Sequence, residues 1–205
     1  IATGGFRTVR LWRRSGQQVT SDEMPFANAV GLLAVHPSHD LGALVNAIGD
    51  IEIWSLREQQ IKSTLKGNAE SVVDMVWSEA ADSLLSADEM GHVTYWDITA
   101  GKRKFEHDAG GPIKELAWSS DGTQIAWIDA AGAPQLLRVN ADSAGLEMQQ
   151  ESLGGVAAAT AIALLTKPAL AVAVASGNGT VSLVNGADNK VLRKMEHGAP
   201  VTSIE

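Results

Sequence analysis

The chain has 205 residues, 16 Lys and Arg against 24 Asp and Glu for a net charge of −8, and no cysteine. That length builds one sizeable core, and 45% hydrophobic with 20% charged residues is the balance of a soluble globular protein. The acidic balance argues against nucleic acid, whose binding needs clustered Lys and Arg, and the lack of cysteine removes disulfides, thiol catalysis, cysteine metal sites and covalent haem attachment.

Ile1-Ala2-Thr3-Gly4-Gly5 reads as a strand, Phe6-Arg7 as a turn, and the chain to Trp12 as a second strand. Ile1 lies inside a strand pattern, so the sequence is expected to be part of something longer. Residues 17–20 read as an outer strand and 21–26 as a loop carrying Glu23, Met24, Pro25 and Phe26. The apolar run Val30-Gly31-Leu32-Leu33-Ala34-Val35 suits a strand covered on both faces, and His36-Pro37-Ser38-His39-Asp40 is the turn after it. Strands at 44–47, 51–54 and 60–65 follow, the last two with the period-2 alternation of half-buried strands. The plan repeats with strands at 72–77, 83–87, 93–96 and 103–105, where Asp97-Ile98-Thr99-Ala100-Gly101-Lys102 is a hairpin connection whose glycine supplies a positive φ. It repeats again at 113–118, 124–128 and 134–139, with the turn Ser119-Ser120-Asp121-Gly122 and with Pro134 tolerated at a strand start. Residues 140–155 read as the longest loop. The last full set is 161–165, 170–175, 180–184 and 191–194, with Asn178-Gly179 read as a type I′ turn, and 200–205 reads as the first strand of another set. The apolar stretch 156–175 is broken by Thr166-Lys167-Pro168, and each half is shorter than the roughly 20 residues a bilayer requires, so no membrane insertion is expected.

One word recurs through these sets: Thr8-Val9-Arg10-Leu11-Trp12, Asp50-Ile51-Glu52-Ile53-Trp54, then Val93-Thr94-Tyr95-Trp96-Asp97. The tryptophans stand 42 residues apart, and the same ruler falls on Leu137 after 41 more and on Val184 after a further 47. A period of roughly 40–45 residues closing on Trp-Asp marks a four-stranded blade. The chain resembles the WD-repeat β-propeller family over nearly all its length. The resemblance implies an all-β fold of four-stranded antiparallel blades, about five of them covered by residues 1–205, read as one domain or segment. Two arrangements follow: closure as five blades, or part of a larger propeller, usually of seven. The family's Gly-His dipeptide, Ser or Thr, turn Asp and Trp form a buried hydrogen-bond network. Here the matching pieces are His107, His197, Ser86, Asp88, Asp129 and Trp96. Gly67-Asn68 replaces one Gly-His pair, Leu137-Arg138 replaces one Trp-Asp pair, and no blade holds the full set. The alanine-rich, degenerate repeats look more like bacterial members of the family.

Candidate chemistry is sparse. His36, His39 and Asp40 have metal-like types, but zinc needs three or four converging ligands, and these residues align with the turn 119–122, so they read as a structural turn. The sequence offers no nucleophile elbow, no metal set and no phosphate loop at Gly177-Asn178-Gly179, so neither a cofactor nor a catalytic residue is assigned. The expected function is a non-enzymatic scaffold gripping a peptide or protein partner, with basic character, on one loop face. The contact candidates are Phe6, Arg7, Glu23, Met24, Phe26, Asp50, Glu70, Asp88, Glu89, Met90, His107 and Asp108. The alternative is a propeller that is, or assists, an enzyme with a cation or small molecule in a central channel, for which Asp50, Asp88, Glu89 and Asp129 are the carboxylates to consider. The compartment stays open between cytoplasm and export.

Overall fold

The structure is a computed structural model describing residues 2–5, 8–15, 18–25, 32–67, 71–142, 145–156, 158–165 and 170–204. Every regular element among them is a β-strand. The first sheet holds β1 (Ala2–Gly5), β2 (Thr8–Ser15) and β3 (Gln18–Pro25). The second holds β4 (Leu33–Val35), β5 (Leu41–Val45), β6 (Ile51–Ser55) and β7 (Gln60–Leu65). The third holds β8 (Val72–Trp77), β9 (Ser83–Asp88), β10 (His92–Asp97) and β11 (Lys102–Asp108). The fourth holds β12 (Ile113–Trp118), β13 (Gln124–Asp129), β14 (Pro134–Asp142) and β15 (Gly145–Ser152), and the fifth β16 (Ala159–Leu165), β17 (Ala171–Ser176), β18 (Thr180–Asn185) and β19 (Val191–Glu196). Each sheet runs in sequence order through antiparallel neighbours. This is the blade plan the repeat implies.

The ruler marks register as well as period. Trp54 pairs with Gly42, Trp96 with Leu84, Leu137 with Ile125 and Val184 with Val172, so each partner lies 12 residues earlier. A one-residue slip would turn every core side chain to the wrong face, and the constant offset shows that degenerate repeats keep the register that the tryptophan marks in the regular ones.

The chain divides into two compact units, Ile1–Glu89 with Val93–His107 and Met90–His92 with Asp108–Glu205. The core of the first is Ile51, Ile53, Leu65, Met75, Leu84 and Trp96, all at most 6% exposed. The core of the second includes Ala126, Ile128, Leu136, Val172, Val174 and Val184. β17 is buried along its whole length: its valines enter this core while alanines alternate with them.

Four expectations change. Residues 21–25 continue β3 rather than forming a loop, pairing Trp12 with Ser21 and Thr8 with Pro25, an outer-strand position where no ladder donor is required of proline. Residues 140–155 are largely a long hairpin, with Asn140 opposite Glu147 and Asp142 opposite Gly145; β15 is the outer strand missing from the sequence reading. Asn178-Gly179 is not type I′, which needs positive φ at both central residues: only Gly179 is positive, at 86°, behind a turn closed by its amide on the Ser176 carbonyl at 3.0 Å. Residues 200–204 form no strand.

The connections between blades are pinned at recurring glycines. The carbonyls of Gly91, Gly132 and Gly179 accept the amides of Ala109, Ala159 and His197 at 2.9, 2.8 and 2.8 Å; Ala109 and His197 directly follow an outer strand and Ala159 opens β16. At Gly91, with φ +99°, a Cβ would lie 2.0 Å from the Gly111 carbonyl oxygen; at Gly179, with φ +86°, 2.7 Å from that of Ala199. Gly101 has a positive φ of 63° and open space around it. Gly101→Ala is therefore expected to cost about 1 kcal/mol, the φ penalty alone, and Gly91→Ala about 3 kcal/mol or more, because backbone must also move. Urea unfolding of both variants checks the difference; equal losses would show that the contact at Gly91 yields freely.

Candidate functional site

Two of the turns joining second to third strands, 46–49 and 129–132, share one construction. In Asn46-Ala47-Ile48-Gly49 the Gly49 amide closes on the Asn46 carbonyl at 3.1 Å, and the Asn46 Oδ1 accepts the amides of Ile48 and Asp50, both at 3.1 Å. In Asp129-Ala130-Ala131-Gly132 the Gly132 amide closes on Asp129 at 3.0 Å, and the Asp129 Oδ1 accepts the Ala133 amide at 2.8 Å. Asn and Asp serve here because their short side chains reach the backbone of their own turn. The turn is thereby rigid, and the residue before its glycine stands outward: Ile48 is 80% exposed and Met90, before Gly91, 55%.

Inner strands carry a second recurring device. Register slips between Val72 and Asp74, Ile113 and Glu115, and Ala159 and Ala161. Each slip is a bulge at the strand start, and bulges re-aim a side chain. The residues so placed are Val73, Lys114 and Thr160, all exposed.

The contact candidates fall out as follows. Phe6, Arg7, Phe26 and Glu70 lie outside the described residues. Glu23 and Met24 are in β3, opposite Arg10 and Val9, not in a loop. Asp50 is half-buried beside its turn. Asp88 is 7% exposed at the end of β9, so its carboxylate belongs to the interior rather than the surface. Glu89 is exposed, and its amide is bound to the Ser71 carbonyl at 3.0 Å. His107 and Asp108 are the last residues of β11, where the sequence placed His107 after the strand. Asp108 Oδ1 accepts the Gly110 amide at 2.8 Å. Gly91 brings the Met90 turn against Ala109 and Gly111, so Met90 and the chain following Asp108 are neighbours. An open cavity of about 260 Å³ lies between the loop 109–112 and the turn 129–131. Ile48, the bulges and this cavity were not in the sequence reading; an isoleucine between Asn-Ala and Gly, too polar a setting for a core strand, was the available signal for the first.

His36 is spent on structure, as its alignment with the turn 119–122 implies. Its Nδ1 accepts the amides of Ser38 and His39 at 3.1 and 3.0 Å, so the ring proton sits on Nε2, which donates to the Ser78 carbonyl at 2.9 Å. Both nitrogens are thus engaged, and Asp40 Oδ2 accepts from the Ser55 hydroxyl and the Arg57 amide at 2.9 and 3.0 Å. Among the described residues no group of three or more His, Asp or Glu is placed to hold a metal ion, and no helix is long and apolar enough to cross a membrane.

The expected Trp network is partial. Trp96 Nε1 donates to Ser86 Oγ at 2.8 Å inside the protein. In the preceding blade Leu44 holds the equivalent register position and has no acceptor, and Trp54 Nε1 turns instead to Glu52 Oε2 at 3.0 Å. In the fourth sheet Leu137 replaces the tryptophan and Trp127 stands where Ser86 would be. Arg138, in place of the motif's Asp, pairs with Glu151 and donates to the Gly186 carbonyl at 2.8 Å, while Asn189 Nδ2 donates to Glu151. The hydrogen bonds from Arg138 and Asn189 hold the Glu151 carboxyl below its ordinary range. Burial opposes ionisation of Asp121, but the Ser119 hydroxyl and the Thr123 amide and hydroxyl outweigh it, and its carboxyl also lies low.

No known protein family and no curated protein matches the sequence. Solved structures do match. The β-propeller domain of Myceliophteria thermophila Cps50 (Swd1) is similar to this chain with a TM-score of 0.74 and 17% identity, over 96% of this chain and 61% of that one. A chain of the Mitotic Checkpoint Complex gives 0.77 and 20%, over 98% of this chain and 64% of that one. The fold is a β-propeller. This chain spans about three-fifths of the length of each of these neighbours.

Ser86→Ala is expected to cost about 1–3 kcal/mol, the desolvation of a buried indole N–H left without its acceptor, with a fall in thermal midpoint as the readout. An unchanged midpoint would mean that the Trp96 bond adds nothing net. For pH the sign is fixed by the direction of the two shifts. Asp121 and Glu151 ionise more readily in the fold than at their ordinary values of 3.8 and 4.5, so their contribution is present above that range and lost as pH falls through the lowered folded values. Denaturant midpoints at pH 6 and pH 3 should differ less in Asp121→Asn/Glu151→Gln than in the parent.

Proposed function

We propose that the chain is a non-enzymatic platform that binds a protein or peptide partner through its second-to-third-strand turns and outer-to-inner-strand connections. The observation that carries this is the apolar exposure at the tips of rigid turns. Ile48 and Met90 hold the same turn position in successive blades and are 80% and 55% exposed. A large apolar side chain fixed in water by a hydrogen-bonded turn stabilises nothing in the fold, whereas at an interface it is buried with little ordering cost. Glu89, next to Met90 in sequence, and Asp108, the last residue of β11, are exposed, and with a net charge of −8 they favour a partner with a basic patch. One of the similar propellers belongs to a protein assembly, the Mitotic Checkpoint Complex, which is the setting this reading gives to the present chain. We read residues 1–205 as a stretch of one propeller domain, in keeping with a likeness that covers 96–98% of the chain, and as part of a larger propeller.

The test is affinity capture with the intact protein beside Ile48→Asp, Met90→Glu and Asp108→Lys, each checked for parental folding by circular dichroism. A partner held by the parent should be lost from Ile48→Asp and Met90→Glu, weakened roughly tenfold or more, and should bind Asp108→Lys with a slower association rate and altered salt dependence. Equal capture by all four proteins would move the binding surface elsewhere.

A further inference from the structure

We infer that the cavity between the loop 109–112 and the turn 129–131 receives a lysine or arginine side chain of the partner; this rests on the platform reading and deepens it. The walls are made of Ala109, Gly110, Gly111, Pro112, Ala130 and Ala131, with Asp129 as the one ionisable lining residue. These small side chains leave about 260 Å³ open to solvent, which suits a slender aliphatic stem rather than an aromatic ring. Asp129 brings a carboxylate to the cavity, and Asp108 stands immediately before the loop that walls it. Asp129 spends Oδ1 on the Ala133 amide and Asp108 spends Oδ1 on the Gly110 amide, each at 2.8 Å. Neither has an ion-pair partner among the described residues, and Lys114, two residues beyond the loop, pairs with neither. Their backbone bonds fix both groups before any ligand arrives, so little ordering is left to do on binding. The turn that carries the exposed Met90 is locked to the same loop by the Ala109 amide on the Gly91 carbonyl. A basic residue next to an apolar one is therefore the partner feature that fits: stem along Ala and Pro, cation toward Asp129, apolar neighbour on Met90.

The experiment is an amide-resolved NMR titration of the intact protein with N-acetyl-arginine amide and N-acetyl-lysine amide, using N-acetyl-norleucine amide as the uncharged probe of similar stem. Shifts concentrated at Gly110, Gly111, Ala130 and Ala131 with the two cations, weakened by salt and absent with norleucine, are expected. Asp129→Asn keeps the acceptor for Ala133 and removes the charge, and should weaken the cations roughly threefold to tenfold. Equal shifts with norleucine, equal affinity in Asp129→Asn, or no shift at these amides overturns the basic-side-chain assignment. The two readings separate in capture. A partner lost from Met90→Glu yet held equally by Asp129→Asn leaves the platform standing and removes this site. Cavity shifts in a protein whose capture is indifferent to Ile48 and Met90 keep the site and remove the platform.

Discussion

In three of the five sheets a turn glycine holds the chain that follows the outer strand by one hydrogen bond. The carbonyl of a turn glycine accepts an amide from the segment leaving the outer strand, and the approach is so close at Gly91 and Gly179 that no side chain fits between. The bond fixes where the following inner strand begins. A bulge lies within the first residues of the inner strand in the third, fourth and fifth sheets, where it adds local twist. Register downstream is set by the apolar pattern, and the constant offset of 12 residues between third-strand ruler positions and their second-strand partners is the outcome.

The hydrogen-bonded indole is dispensable within this scheme, and the substitutions show how. Where Ser86 offers an acceptor, Trp96 goes inward and is 1% exposed. Where Leu44 offers none, Trp54 is only half-buried and takes a carboxylate from its own strand. Where the ruler falls on Leu137, the indole moves across the ladder to Trp127, which is fully buried, and Arg138 ties its strand to Glu151 and to the turn after β18. Burial of large apolar surface at one place in the blade is kept in the third and fourth sheets, and polar pairing is improvised around it. That ordering agrees with the energetics: a buried indole is worth several times the net value of one hydrogen bond.

Fold class and the period of the strand sets were legible because period and burial are written in the same residues. The inner three strands of a blade carry dense Val, Ile, Leu and Trp at fixed spacing. Outer strands do not: β19 is exposed along its length and β7 over its first half, so little selects their side chains. That is why the extension of β3 to Pro25 and the whole of β15 escaped, the latter read as loop because Asp142-Ser143-Ala144-Gly145 has turn composition. Of the candidate surface, the acidic and methionine positions of the turn 88–91 were legible by type. Their exposure was not: Asp88 and Met90 differ from 7% to 55% across two residues, a distinction made by the strand end and not by composition.

The same rigidity that carries the blades sets what the turns can do. In the turn 46–49 the Asn46 Oδ1 satisfies the amides of Ile48 and Asp50 from within, so the tip is held without help from the Ile48 side chain, which is 80% exposed. Ile48, Met90, Ala131 and Asn178 occupy that position in four successive blades, running from large apolar to small to polar. The residue at the tip thus differs from blade to blade while the glycine after it is constant.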